Sequence, residues 1–274
     1  MRKLLLSLVA GFTFICILQA QYTKSEMEFY QLNTNDGLSN SRINAIYKDT
    51  KGFVWIATQS GLNKYNGYNF KIYKNDPNES NSLASSWIND VTEDKNNRVW
   101  VATREGVNLY NAKTDNFDVY LKGIQTERVK LIQNKLFAAT NEGLALYDYT
   151  SDKFKIFKHQ PGNTNSINSN TVFDVIATHD NNILVATDKP TIQKFNPESE
   201  TFAPFLLNTT KPDNKIAKRM LEDSENNIWI SAPDEPLILY KSRADTLIRF
   251  SQKIGSSTKG FVETNDKKIL IAQE

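Results

Sequence analysis

The chain has 274 residues, 39% hydrophobic and 23% charged, which places it among globular proteins and excludes a disordered one. Its 33 basic and 31 acidic residues leave a net charge of +2, so bulk charge gives no case for a nucleic-acid or membrane-surface partner. A single cysteine and two histidines exclude a disulfide scaffold, a zinc cluster and a thiol redox pair. The length fits two ordinary domains or one long all-β unit. Thirty aromatic residues and 30 asparagines favour strands joined by tight turns.

The first element is an address. Met1-Arg2-Lys3 gives a basic start, 4–18 is a fifteen-residue stretch without charge, and Gln19-Ala20 precedes a polar segment. This is the pattern of a secretory signal peptide over residues 1–20, with cleavage expected after Ala20. A membrane span would need about 20 apolar residues, so no span is expected in the mature chain. Cys16 lies inside this segment, and Phe14-Ile15 before it are not the small residues of a lipid-attachment site.

Beyond residue 20 the sequence repeats. Val54-Trp55-Ile56-Ala57-Thr58 returns as Val99-Trp100-Val101-Ala102-Thr103, as Leu136-Phe137-Ala138-Ala139-Thr140 and as Ile183-Leu184-Val185-Ala186-Thr187. Weaker copies centre on Trp229 and Leu270. The six anchors Trp55, Trp100, Phe137, Leu184, Trp229 and Leu270 are spaced 45, 37, 47, 45 and 41 residues apart. Such a period suits four-stranded propeller blades or paired-helix solenoids. The first unit decides between them. Alternation over 43–48, a turn at Asp49-Thr50-Lys51-Gly52, an apolar run over 53–58, a turn at 59–61, a third strand from Leu62 and an Asn66-Gly67 hairpin signal leave no room for a helix.

The fold expected is therefore an all-β propeller of four-stranded blades. A lead-in over 21–42 holds a ring-closing strand at Phe29-Tyr30-Gln31-Leu32. Blades follow at about 43–83, 84–124, 125–167, 168–212 and 213–255, with an incomplete one at 256–274. The anchors sit on second strands, which lie between neighbours. Gly61, Gly106 and Gly143 take the next reversal, where φ > 0 is easy without a Cβ. Pro190 and Glu235 replace that glycine in units four and five, so distorted turns are expected there. Asp49, Asp94 and Asp223 recur at the first hairpin and read as turn caps rather than metal or acid–base groups.

The string Asn35-Asp36-Gly37-Leu38-Ser39 before Ile43-Asn44-Ala45-Ile46-Tyr47-Lys48-Asp49, then Gly52-Phe53-Val54-Trp55 and Gly61-Leu62-Asn63-Lys64-Tyr65, resembles the two-component regulator propeller repeat. The resemblance is strong in the first two units and fades in the last three. It implies the periplasmic sensor region of a hybrid two-component histidine kinase, usually built from seven-bladed propellers that respond to oligosaccharides. The remaining sensor domains of a parent protein, and a homodimer of that parent, would then be partners. From Phe29 onward the chain holds roughly 5.7 repeats, so an incomplete seven-bladed ring from a truncated or split gene is expected.

Catalysis finds no support. His159 and His179 stand apart, no phosphate loop or nucleophile elbow occurs, and Glu93-Asp94 and Glu222-Asp223 point to opposite faces. No cofactor and no metal are implied. Binding is better served by the loops 38–42, 81–87, 104–105, 125–128 and 163–170, which gather at one face of a propeller. They carry Arg42, Trp87, Arg104 and Arg128 among Asn and Ser, a mixture suited to sugar rings or an anionic saccharide. Merely solvated loops, or a Trp87 packed under its neighbour, are the plain alternatives. A stand-alone secreted propeller enzyme of lyase or quinone-dependent dehydrogenase type, or an interaction module, are the competing functions.

Overall fold

Runs of four to seven apolar or alternating residues, cut by Asp and Gly turns, can satisfy their backbone only as antiparallel ladders. In the computed structural model, which describes residues 31–206, 217–232, 237–250 and 258–273, they form five four-stranded sheets and one pair. The first sheet is β1 (Ile43–Lys48), β2 (Val54–Thr58), β3 (Gly61–Tyr65) and β4 (Phe70–Tyr73). The second is β5 (Ile88–Glu93), β6 (Val99–Thr103), β7 (Gly106–Asn111) and β8 (Asn116–Tyr120). The third is β9 (Thr126–Ile132), β10 (Lys135–Thr140), β11 (Gly143–Asp148) and β12 (Lys153–Phe157). The fourth is β13 (Val172–Ala177), β14 (Ile183–Thr187), β15 (Ile192–Asn196) and β16 (Thr201–Leu206). The fifth is β17 (Arg219–Glu222), β18 (Asn227–Ser231), β19 (Ile238–Lys241) and β20 (Thr246–Arg249), and β21 (Thr258–Glu263) pairs with β22 (Ile269–Gln273). Strands neighbour one another in chain order throughout. This is the propeller architecture expected from the repeat. The expected signal peptide, and Phe29 and Tyr30 of the expected closing strand, lie outside the described residues.

The core sits between sheets rather than at one centre. Trp55 and Ala57 of the first sheet pack with Ile88, Val91 and Phe117 of the second. Trp100 meets Val129, Phe137 meets Val175, and Leu184 meets Met220 in the next three junctions. Trp55, Trp100, Phe137 and Leu184 are all fully buried, as second-strand anchors should be. The last two anchors differ. Trp229 is half-buried and stacks on Phe250 at 5.6 Å, and Leu270 is 55% exposed. Neither is covered as its four predecessors are.

The turns follow the local chemistry. Gly106 has φ 143°, and a Cβ there would lie 2.8 Å from the Tyr120 carbonyl oxygen. In the fourth sheet, where Pro190 stands, β14–β15 pairing stops at Val185↔Gln193 instead of reaching the end of the hairpin. Glu235 lies outside the described residues. The Asn66-Gly67 hairpin is a four-residue turn rather than a two-residue one: Tyr65 pairs Phe70, and the Asn66 side chain accepts from the Tyr68 and Asn69 amides. Asn at the first turn position caps its own loop, and this capping outweighs the dipeptide's preference.

Candidate functional site

Each inner strand begins where the second strand ends, and a backbone bond fixes the two. Gln59 N–H donates to Arg42 C=O at 3.3 Å, Arg104 to Trp87 at 3.2 Å, Asn141 to Gln125 at 3.0 Å and Asp188 to Thr171 at 3.0 Å. Arg42, Trp87, Gln125 and Thr171 are thus equivalent rim positions on successive sheets. Beneath three of them a buried apolar side chain plugs the entry loop: Leu38, Leu83 and Ile167. A third-strand amide pins the same loops. Asn63 Oδ1 accepts from Ser39 N–H at 2.8 Å, Asn108 Oδ1 from Ala84 N–H at 2.8 Å, and Gln193 Oε1 from Asn168 N–H at 2.7 Å. In the sequence this signal is an amide two residues after Gly61 and Gly106 and three after Pro190, a recurrence that motif-by-motif inspection of the loops passes over.

Trp87 and Arg104 come together on this rim. The guanidinium carbon lies 3.4 Å from the indole centroid, and the indole N–H donates to Asn89 Oδ1 at 3.1 Å. Asn89 in turn donates to the Thr126 carbonyl at 2.8 Å, so the ring's orientation is tied to the next sheet. Trp87 is half-exposed and Arg104 exposed, a geometry that leaves a cation–π pair at the surface. Arg42 is exposed at the equivalent position one sheet earlier.

Arg128 is elsewhere. The expected loop 125–128 is already strand from Thr126, and Arg128 is buried on β9 at the channel. Equivalent inner-strand residues line that channel: Ala45, Asp90, Arg128, Asp174 and Gly260, each third in its strand, and Arg219, the first of β17. Register shifts just before Ala45, Asp90, Asp174 and Gly260 re-aim those residues. Arg128 Nη1 lies 3.5 Å from Asp90, and Lys130 Nζ is 2.8 Å from Asp174. The same carboxylates accept from the following sheet, Asp90 from Val129 N–H at 3.3 Å and Asp174 from Met220 N–H at 2.9 Å. Burial pushes the Asp90 carboxyl up against the opposing pull of Arg128. Burial acts the same way on Asp174, but Lys130 and the arginines outweigh it and hold that carboxyl below its usual range. Arg219 is lowered to about 10 by burial beside Arg128. The channel charges are mutually engaged and tie inner strands together.

On the opposite hairpins the recurring acids do more than cap. Asp49, Asp94 and Asp223 each accept from two turn amides and from the indole of the tryptophan six residues on, at 2.8, 2.9 and 2.8 Å. His159 Nδ1 meets the Ile167 carbonyl, and the His179 amide donates to Glu222.

Sheets in chain order around a channel define a repeat-built propeller. Residues 37–60 and 82–105 match the two component regulator propeller family model. Histidine kinase P4 of Formosa agariphila is 41% identical over 81 residues, which is 29% of this chain and 6% of that protein. The extracellular domains of BT4673 and BT3049 from B. thetaiotaomicron, both described as hybrid two component systems, share the fold with TM-scores of 0.69 and 0.60. They are 22% and 20% identical, covering 86% and 88% of this chain but 31% and 40% of their own. PorZ, a surface component of the type-IX secretion system of Porphyromonas gingivalis, matches at a TM-score of 0.62 with 10% identity. The chain spans well under half of each of these relatives.

Proposed function

We propose that the chain is the ligand-sensing or scaffolding propeller region of a two-component sensor, exported to the periplasm, and that it meets an oligosaccharide through Arg42, Trp87 and Arg104. The observation that carries this is one of position. The matched repeat 82–105 contains both members of the Trp87–Arg104 stack, on a rim that buried plugs and amides hold in place. An indole face beside a guanidinium fork combines apolar stacking with paired donors, which suits a sugar ring or an acidic saccharide. Arg128, engaged in the channel, serves the ring and not the ligand. The kinase output named for the relative belongs to other parts of such a protein, and ligand binding here would bias them, in a homodimer of the parent.

Isothermal titration against a panel of neutral and acidic oligosaccharides tests the reading. Saturable binding without turnover is expected, and Trp87→Ala should weaken it about tenfold, the worth of one aromatic contact of about 1.4 kcal/mol. Turnover of any sugar would overturn the sensor reading, and unchanged affinity in Trp87→Ala would remove the rim stack from it.

A further inference from the structure

The third-strand residue paired with the second-strand anchor is Lys64 in the first sheet, then Leu109, Leu146, Lys194 and Leu239. Leu109 and Leu239 are buried, and Leu146 packs against the neighbouring core. Lys194 is exposed, so its ammonium stands in water. Lys64 is half-buried and brings an ammonium to a place where the repeat uses leucine. Its Nζ lies 4.1 Å from the Phe53 ring centroid, 4.9 Å from that of Tyr110 and 5.2 Å from that of Trp55. Burial holds this ammonium below the usual lysine range, against the pull of Asp115 and Asp49.

The Lys64 ammonium carries three donors, and its one hydrogen bond among the described residues goes to Tyr110 Oη at 3.2 Å. It lines a cleft of about 630 Å³ between the first and second sheets, on the hairpin face opposite the rim. That volume falls within the roughly 300–1,000 Å³ of small-molecule sites. The acids nearest the ammonium are already committed. Asp49 accepts from two turn amides and the Trp55 indole, and Asp115 from Lys71, Tyr73 and Tyr110. Glu93, in the cleft wall, accepts from Thr50 N–H and Oγ1 at 2.9 and 3.0 Å. Arg98 is held by Asp94 at 2.7 Å. Lys51 and Lys113 also line the cleft, are exposed, and make no ion pair among the described residues. Three ammonium groups thus share a wall in which Asp118 is the one carboxylate accepting no hydrogen bond among the described residues.

We propose that this cleft is a second binding site, separate from the rim, for a small anion bearing two or more carboxylate, sulfate or phosphate groups. Lys64 meets the anion from the cleft floor, and Lys51 and Lys113 meet it from the first and second sheets. An ammonium already stripped of much of its water by aromatic rings gains from a charged acceptor, because charge-assisted hydrogen bonds are the strong ones. The asparagines Asn96 and Asn111 of the same wall add neutral amides beside the cations.

Isothermal titration at low salt tests it, with citrate as the polycarboxylate probe, inorganic pyrophosphate as the phosphate probe and maltose as the neutral control. Saturable one-to-one binding of at least one anion is expected, weakening with added salt, and none of maltose at this site. Which anion binds more tightly distinguishes a carboxylate ligand from a phosphorylated one. Lys64→Leu installs the residue the repeat itself uses there, so the fold should persist while anion affinity drops at least about tenfold. Lys64→Gln serves in its place should the leucine variant melt early. Arg104→Ala and Trp87→Ala should leave anion affinity unchanged, so failure of the rim reading does not carry this one with it. The proposal falls if neither anion binds saturably. It also falls if folded Lys64→Leu or Lys64→Gln binds as the parent chain does, or if Arg104→Ala abolishes the binding, since the anion would then sit elsewhere.

Discussion

Asp94→Ala is expected to cost more stability than any other change at the recurring turn acids, by about 3–5 kcal/mol. The carboxylate accepts from Asn96 and Arg98 amides at 2.8 and 3.1 Å, from Arg98 Nε at 2.8 Å and from Trp100 Nε1 at 2.9 Å. Arg98 Nη2 stands 2.7 Å from the same oxygen without hydrogen-bond alignment, so that contact is coulombic. Trp100 is fully buried, and its N–H left without an acceptor costs about 1–3 kcal/mol. The two turn amides add about 0.5–1.5 kcal/mol each. Asp94→Asn keeps the amide contacts but turns an NH₂ toward two donors, for a loss of about 2 kcal/mol. Urea unfolding followed by tryptophan fluorescence reads these values from the midpoint at constant slope. In a cycle with Trp100→Phe, which removes the stranded donor, the double variant should recover about 1–3 kcal/mol of the summed losses. Asp223→Ala should cost about half as much, because Trp229 is only half-buried and water can reach its N–H. A loss under about 1 kcal/mol for Asp94→Ala, or a larger one for Asp223→Ala, would refute the reasoning.

Gly106→Ala should destabilise by about 3 kcal/mol, since its φ of 143° and the Tyr120 carbonyl 2.8 Å from a new Cβ both oppose it. Gly52→Ala, at φ 90° with nothing within 4 Å, should cost about 1 kcal/mol in the same thermal melts. Asp174→Ala strands Lys130 and the Met220 amide in the channel and should lose about 3–5 kcal/mol by denaturant titration, whereas Arg104→Ala should stay within about 0.5 kcal/mol. At Asp115, burial acts to raise the carboxyl, but Lys71 and the Tyr110 and Tyr73 hydroxyls outweigh it and hold it at about 2. The folded value is depressed, so its contribution is complete above an unfolded value of about 3.9 and fades as pH falls from there to about 2. Asp115→Asn should flatten that part of the acid limb of a stability–pH curve, and an unchanged limb would count against the Lys71–Asp115–tyrosine network.

Fold class and repeat period were legible because one tryptophan-centred run recurs at nearly constant spacing, and only four-stranded units fill that spacing. Turn acids were legible only in part. Sequence spacing showed Asp49, Asp94 and Asp223 recurring, but their shared indole donor is a contact across a hairpin, six residues away in sequence and adjacent only after β1–β2-type pairing forms. Arg128 was misplaced for a related reason. The entry loop of the third sheet is short, so a residue that resembles a loop cation is already the third strand residue and faces the channel, opposite Asp90. Leu270 was expected to be an anchor like the others. Its residue type fits, but burial at that position depends on a following sheet and is not a property of the strand itself.

The division of labour within the ring follows from these placements. Stability resides where sheets meet: anchor on inner strand, acid on neighbouring turn, channel carboxylate on neighbouring amide. Every one of those contacts spans about one repeat, so a substitution there is felt by two sheets at once. The rim is different. Arg42 and Arg104 are exposed, and their repeat positions are held by backbone bonds whose geometry does not depend on the side chain. The buried amides Asn63, Asn108 and Gln193 carry the loop positions instead. Side-chain identity at the rim can therefore vary from sheet to sheet, through Arg42, Trp87, Gln125 and Thr171, while the ring beneath keeps one repeating contact set. A repeat that separates these two demands can change what it binds without renegotiating how it folds, and this is why the Trp87–Arg104 stack can be altered to test binding in a chain that remains folded.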